Sequence, residues 1–354
     1  MAGAVDLAIQ MRGARVGQWH IEHIELDASS AEDGSWSAGR EAANARIAVR
    51  DPSVIAYIGP YNSGAARVSL PVTNRAGLLQ LSPTCTWPGL TETGWDAGEP
   101  DIYYPTGIRT FARLMPPDSR QAEAAAQWAD STGARTVFVL RDGSSYSNGL
   151  AARFMRAARA LGMQIAGEAQ ADATSAADVA GQVGEAAPDA VFYAPGTTGN
   201  AVAMARALAR LPDRIEVFST DVALSDQFLE AVAGDGGDGR ASRWHIVFNG
   251  VTSPPDTAGW QRFRSAFIDR YGSAPGQFAA NAYDLTNLVL DAIQQTGSGD
   301  RQAIARTVLA TRNYRGVTGL ISFDSKGDVQ GWRMSGYVPT AGRFVLDRIL
   351  QSEH

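Results

Sequence analysis

The sequence predicts an α/β protein whose parallel sheets carry helices on both faces. Three observations lead there. Short apolar runs alternate with helical stretches along most of the chain, the alternation occurs in two separate runs of similar build, and 354 residues suit about two domains with real cores. Hydrophobic residues make up 45% and charged residues 19%, a globular balance, and the net charge of −6 with no Lys/Arg block argues against a nucleic-acid partner. No apolar run approaches the roughly 18 residues needed to span a membrane. A single cysteine, Cys85, excludes an internal disulfide and any cysteine-rich metal site.

The elements follow in order. Residues 2–10 read as an amphipathic helix with no basic region, long apolar stretch or cleavage site, so no signal peptide is expected and the chain begins inside a folded element. Trp19 to Leu26 alternates and predicts a strand, Asp27 to Ser37 a polar loop, and Trp36 to Val49 a helix. Val54 to Ile58 is a strand that breaks at Gly59-Pro60; a helix over 64–76 and a strand over 78–81 follow, ending at Ser82-Pro83-Thr84-Cys85-Thr86. In such a strand–turn–helix–strand–turn unit both turns emerge at the carboxyl end of the sheet. Ser63, Thr84, Thr86 and the first backbone N–H groups of the helix then face one crevice, a setting suited to a carboxylate or other small anion. Read singly, the same residues are helix caps and turn formers.

Residues 87–109 break the rhythm with Trp87, Trp95, Tyr103 and Tyr104, which either line a pocket or cover a core edge. From Asp118 the pattern resumes: helix 119–131, strand 136–140, a turn at Asp142–Tyr146, helix 147–161, strand 164–168, helix 175–186, strand 190–193, a turn at 195–198, helix 200–210 and strand 215–218. Asp221 sits just past that last strand, either capping a helix over 225–234, the reading local sequence favours, or placed as an anion for a ligand cation. Tyr146 is either a ring beneath a ligand or ordinary turn packing. Residues 234–239 are glycine-rich and expected to be flexible. A strand at 244–248, helices at 256–271, 277–296 and 300–311, and strands at 319–323, 331–338 and 343–349 complete the chain.

Motifs for chemistry are missing. The four histidines do not pair at metal spacing, there is no Walker loop or GxSxG, and 59–64 lacks GxGxxG spacing; no cofactor, metal or enzymatic activity is expected. Cys85 reads as a small buried thiol.

Several stretches, in order and at family-like spacing, resemble the type I solute-binding proteins of ABC transporters, the group that binds leucine, isoleucine and valine. They are Asp51–Gly64, Leu81–Thr86, Asp142–Gly149, Pro188–Tyr193, Gln277–Asp284 and Gly319–Asp328. The resemblance implies two doubly wound lobes joined by three crossings, with the ligand shut between them: lobe one over 1–116 and 250–318, lobe two over 117–249 and 319–354. It implies that Ser63 and Thr86 grip the carboxylate of a small amino acid, that the backbone at Thr84 and the acid Asp221 hold its ammonium, that Tyr146 contributes from the second lobe, and that Phe278 packs on its side chain. Tyr61 and Asn62 stand where smaller groups occur in leucine binders, so Tyr61 bears on side-chain choice. The family's first strand has no counterpart here, which should leave inner strands unpaired unless another segment fills the gap. The implied partner is an ABC permease and the implied location periplasmic or extracellular, with lipid anchoring in the full-length form. A sensor domain of a larger receptor or regulator is the competing function.

Overall fold

A computed structural model describes residues 1–30, 36–233, 241–250 and 257–352. The chain divides into two units: Met1–Pro116 with Thr252–Gln330, and Pro117–Val251 with Gly331–His354. The chain passes between them three times, at 116/117, 251/252 and 330/331. The sequence reading sets these passages at 116/117, 249/250 and 318/319. Two interactions hold 319–330 in the first unit. Strand Gly319–Ile321 pairs antiparallel with Tyr314–Gly316, and Asp328 bonds Arg113, on a strand of that unit's main sheet, at 2.7 Å.

In the first unit a three-stranded parallel sheet runs Ala56–Ile58, Leu79–Ser82, Phe111–Arg113. The central strand is buried at every position, as a strand covered on both faces must be. Its buried Gln80 is satisfied by the Thr73 and Ser69 hydroxyls of the preceding helix. Helices Ala2–Met11, Ala279–Thr296 and Arg301–Leu309 supply Leu7, Leu285, Val289, Ile293 and Ile304 to a core that also takes Leu79 and Leu81. The third strand, Phe111–Arg113, was not expected; three residues carry too little pattern to show it.

The expected strand over Trp19–Leu26 is a correction. Only Trp19–His20 is a strand, in a hairpin with Arg15–Val16. Residues 21–28 form no ladder with Ala56–Ile58, and both segments instead line a groove of about 910 Å3 floored by Val5, Ile9, Val289 and Ile293. Alternation in sequence cannot make a strand where no partner strand lies alongside. Part of the expected 27–37 loop, residues 31–35, lies outside the described residues; its ends meet in a Ser29–Trp36 bridge.

The second unit holds a seven-stranded sheet in the order Arg343–Gln351, Arg333–Thr340, Trp244–Phe248, Glu216–Thr220, Ala190–Ala194, Thr136–Arg141, Gln164–Gln170. The last five are parallel and the first two antiparallel additions. Both faces are covered. Phe138, Leu140, Val191, Val217 and Ile246 pack against Val179, Val183, Met204, Leu208 and Phe228 of helices Ala176–Ala186, Thr198–Leu208 and Asp226–Ala233. On the opposite face Phe192 stacks on Phe154 at 4.0 Å between ring centroids, and Phe218 meets Trp128 edge-on at 6.0 Å. The order reverses between Thr136–Arg141 and Ala190–Ala194, so the turns after them flank a switch point, where open α/β sheets bind ligands. The glycine-rich 234–239 stretch falls outside the described residues.

Candidate functional site

The turns at the carboxyl end of the first unit's sheet are stitched together by two serines. Ser82 Oγ donates to the Pro60 carbonyl at 3.2 Å and accepts from the backbone N–H groups of Thr84 and Cys85 at 3.2 and 2.9 Å. Ser63 Oγ accepts from the N–H groups of Thr86 and Trp87 at 3.1 and 3.2 Å. Ser63 opens the helix Ser63–Arg75 but does not cap it; both its lone pairs hold the neighbouring turn, which leaves its hydroxyl hydrogen to donate. Thr84 is spent differently, its hydroxyl donating to the Tyr61 carbonyl at 2.6 Å, so its own carbonyl is what it can offer. The Thr86 hydroxyl has no protein partner among the described residues. Helix Ala279–Thr296 is tied to this turn by Asn281, whose amide donates to the Pro83 carbonyl at 2.8 Å. Phe278, at the head of that helix, meets Tyr61 edge-on with centroids 6.0 Å apart. Tyr61 is 55% exposed, so an aromatic pair stands open beside the Ser63–Thr86 turn. Ser63, Thr84, Thr86, Tyr61 and Phe278 therefore share one edge of one unit.

Sequence reasoning missed two participants here. Ser82 carries a turn signal, a hydroxyl two and three residues ahead of the N–H groups it accepts. Trp36 lies so close over Gly64 that a Cβ there would approach its ring to 2.7 Å, which explains glycine at the first turn of the helix. No local pattern joins residues 36 and 64. Cys85 is fully buried, and burial pushes its thiol up to about 11, as an inert packed cysteine requires.

The aromatics of 87–109 cover a core edge. Tyr103 and Tyr104 join Leu70, Cys85, Leu90 and Phe111 in a small cluster. Above it the buried Glu99 accepts from the Trp87 indole at 3.0 Å and from the Tyr103 hydroxyl, and Arg67 reaches Asp96 at 2.9 Å.

In the second unit Tyr146 and Asp221 come together through a residue the sequence did not flag. The Gln121 amide donates to Asp221 Oδ1 at 3.0 Å and to the Val247 carbonyl at 2.6 Å, and its oxygen accepts from the Tyr146 hydroxyl at 3.3 Å. Asp221 opens a single 3-10 turn, Asp221–Ala223, and does not cap the helix Asp226–Ala233. Ser225 does that, accepting from the Phe228 N–H at 3.2 Å. Burial raises the Asp221 pKa, opposed first by Gln121 and then by the backbone N–H groups of Asn249, Asp221 and Val222. Burial, then the Asp221 charge, holds the Tyr146 hydroxyl well above its ordinary value and therefore protonated. Asp142 ties the two switch-point turns, accepting from the Gly196 N–H at 2.5 Å, from Asn200 at 3.0 Å and from Ser144 at 2.7 Å. Those bonds outweigh burial and hold its carboxyl below the usual range. No group of three or more metal-ligating side chains occurs among the described residues.

The geometry thus provides a neutral donor edge with aromatics in one unit and a carboxylate with a phenol in the other. Residues 20–334 match the model of the family described as periplasmic binding protein. A Leu/Ile/Val-binding protein homolog of Brucella abortus is 26% identical over 286 residues, covering 79% of this chain and 70% of that one. Among solved structures, an ABC transporter substrate-binding protein of Desulfitobacterium hafniense in complex with Leu superposes with a TM-score of 0.73 at 22% identity, covering 98% of this chain and 94% of that one. A solute-binding protein of an R. palustris ABC transporter, in complex with benzoate, superposes with a TM-score of 0.65 at 16% identity, covering 99% and 92%.

Proposed function

For a chain that belongs to the periplasmic binding protein family, a group of solute binders rather than enzymes, we propose capture of a free apolar α-amino acid outside the cytoplasm and its delivery to an ABC permease. The ligand carboxylate is read by Ser63, Thr86 and the start of the helix Ser63–Arg75, where neutral donors and the helix field favour an anion. The ammonium is read by Asp221, with Tyr146 beside it and the Thr84 carbonyl as a further acceptor. Tyr61 and Phe278 receive the apolar side chain. Leucine, isoleucine and valine suit that pair of rings, and phenylalanine is the next candidate.

One observation carries the choice of an amino acid over a plain carboxylic acid such as benzoate: the part-buried carboxylate of Asp221 at the sheet edge, held by Gln121 and paired with no cation among the described residues. A carboxylate so placed repels an acid that brings no compensating positive charge. The deciding experiment strips any bound ligand by partial unfolding, refolds the protein, and titrates it by calorimetry. The panel is leucine, isoleucine, valine, phenylalanine, benzoate and 4-methylpentanoate (leucine without its amine). Expected is tight binding of at least one amino acid and none of the amine-free acids, with Asp221→Ala weakening the amino acid about tenfold to a few hundredfold. Tight binding of benzoate or 4-methylpentanoate, with Asp221→Ala neutral, overturns the assignment and leaves the fold untouched.

A further inference from the structure

The three bonds of Gln121 use both of its N–H groups and its oxygen, and its side chain is fully buried on the helix Asp118–Ser131. The amide cannot turn over. A flipped Gln121 sets its oxygen against the Asp221 carboxylate and the Val247 carbonyl, two acceptors with no hydrogen to share. One orientation is therefore fixed before any ligand arrives, and it aims a donor at Asp221.

We propose that Gln121 is a positioning residue that keeps Asp221 ionised and aimed, and thereby sets the charge of the ligand this half of the site accepts. The proposal rests on the amino-acid reading above. An amide N–H stabilises a carboxylate as acceptor far better than a protonated carboxyl, so the bond favours the ionised form. It is needed because the setting opposes ionisation. Asp221 is half-buried, its titratable neighbour is Tyr146, and the other charged groups acting on Tyr146 are the acids Asp118 and Asp142, while the Thr220 hydroxyl acts in the opposite sense. Gln121 engages Oδ1 and the backbone N–H groups of Asn249, Asp221 and Val222 also act on the carboxylate, so what it offers a ligand ammonium is a fixed negative charge. Tyr146 is aligned by the same amide, its hydrogen directed to Gln121 Oε1.

The sign of the test follows. Without Gln121 the Asp221 pKa in the folded protein rises further, and ammonium affinity is lost as pH falls through that raised value. Gln121→Met keeps the length of the side chain and removes its donors. Leucine, or whichever amino acid the panel selects, is titrated against both proteins from pH 5 to 8.5. The wild type is expected to hold its affinity to a lower pH; in Gln121→Met the acid limb moves up by about 1–2 pH units, the size of a hydrogen bond to a charged group, so affinity near that limb falls tenfold or more while the deficit at pH 8.5 is smaller. A uniform loss with an unshifted limb marks a structural role and overturns the proposal. Should Gln121→Met fail to fold by circular dichroism, the side-chain amide of Gln121 in the 15N-labelled wild type decides. Slow exchange and a shift that follows Asp221 titration support the proposal, and fast exchange with no shift overturns it. Asp221→Ala separates the two readings: if it binds the amino acid normally, the assignment above falls, whereas if it weakens binding while Gln121→Met leaves the pH profile unmoved, only the role of Gln121 falls.

Discussion

Ser63 Oγ takes the N–H of Thr86 at 3.1 Å, joining the start of one helix to the turn after the next strand across 23 residues of sequence. The same oxygen takes the Trp87 N–H, so one hydroxyl fixes the edge where a ligand carboxylate is expected. Ser63→Ala frees two backbone donors and removes the hydroxyl that the proposed function assigns to the ligand carboxylate. A loss of about 1–3 kcal/mol in urea unfolding is expected. Amino-acid affinity should fall tenfold or more by calorimetry, because donor and turn are lost together. Unchanged binding in a folded Ser63→Ala protein removes Ser63 from the site.

A buried ion pair closes the third strand of the first unit. Arg113, wholly buried, bonds Asp328 at 2.7 Å, the Trp87 carbonyl at 2.7 Å and Thr91 at 2.6 Å. Removing one partner leaves an uncompensated buried charge. Arg113→Met should cost about 3–5 kcal/mol by urea denaturation. Adding Asp328→Asn to that variant removes the stranded charge and is expected to recover part of the loss. A double variant as unstable as the sum of the two singles refutes the coupling.

Much of this fold was legible because the second unit's strands are apolar at successive positions and separated by helical spacing, the mark of a sheet covered on both faces. The clustering of Ser63, Thr84 and Thr86 followed from the parallel strand–helix–strand rule alone. What sequence could not show was long-range. Gln121 looks like any polar residue in a helix's first turns, and only the partners Asp221 and Val247, 100 and 126 residues away, make it part of a site. Asp328 likewise groups with the first unit through Arg113, 215 residues earlier, a partnership no local pattern shows. Asp221 was read as a cap because a helix follows it, yet Ser225 stands nearer that helix and takes the N–H.

Glu41 is 1% exposed on the helix Ala38–Arg50 and accepts from the Tyr57 hydroxyl at 2.9 Å; burial raises its pKa, only partly offset by Ser69 and Tyr57. With the folded value above the unfolded one, this residue's contribution is fully present below about pH 4.3 and is lost as pH rises through the folded value. Glu41→Gln keeps an acceptor for Tyr57 and carries no charge. The melting temperature of the variant should match the wild type near pH 4 and exceed it at pH 7–8. A difference that is the same at both ends of that window rules out ionisation of Glu41 as its cause.

The strand Ala56–Ile58 has one paired edge and one that faces the groove shared with residues 20–29. Gly59 donates to the Leu81 carbonyl at 2.7 Å, so by the alternation of a parallel ladder Tyr57 also turns its N–H to that neighbour, and Ala56 and Ile58 turn theirs to the groove. Among the described residues, no backbone bond joins the 22–27 segment to that edge. An amide with no protein acceptor is protected only by exclusion of water, and a groove of about 910 Å3 admits it. Hydrogen exchange read by NMR should therefore show Ala56 and Ile58 exchanging about a hundredfold or more faster than Tyr57, although all three lie in the middle of the first unit's sequence pattern of strands. Equal protection at the three positions means that polypeptide occupies the groove and supplies the missing ladder. In that case the same samples should show Val5, Ile9 and Val289 methyl groups in contact with apolar side chains other than those that line the groove here.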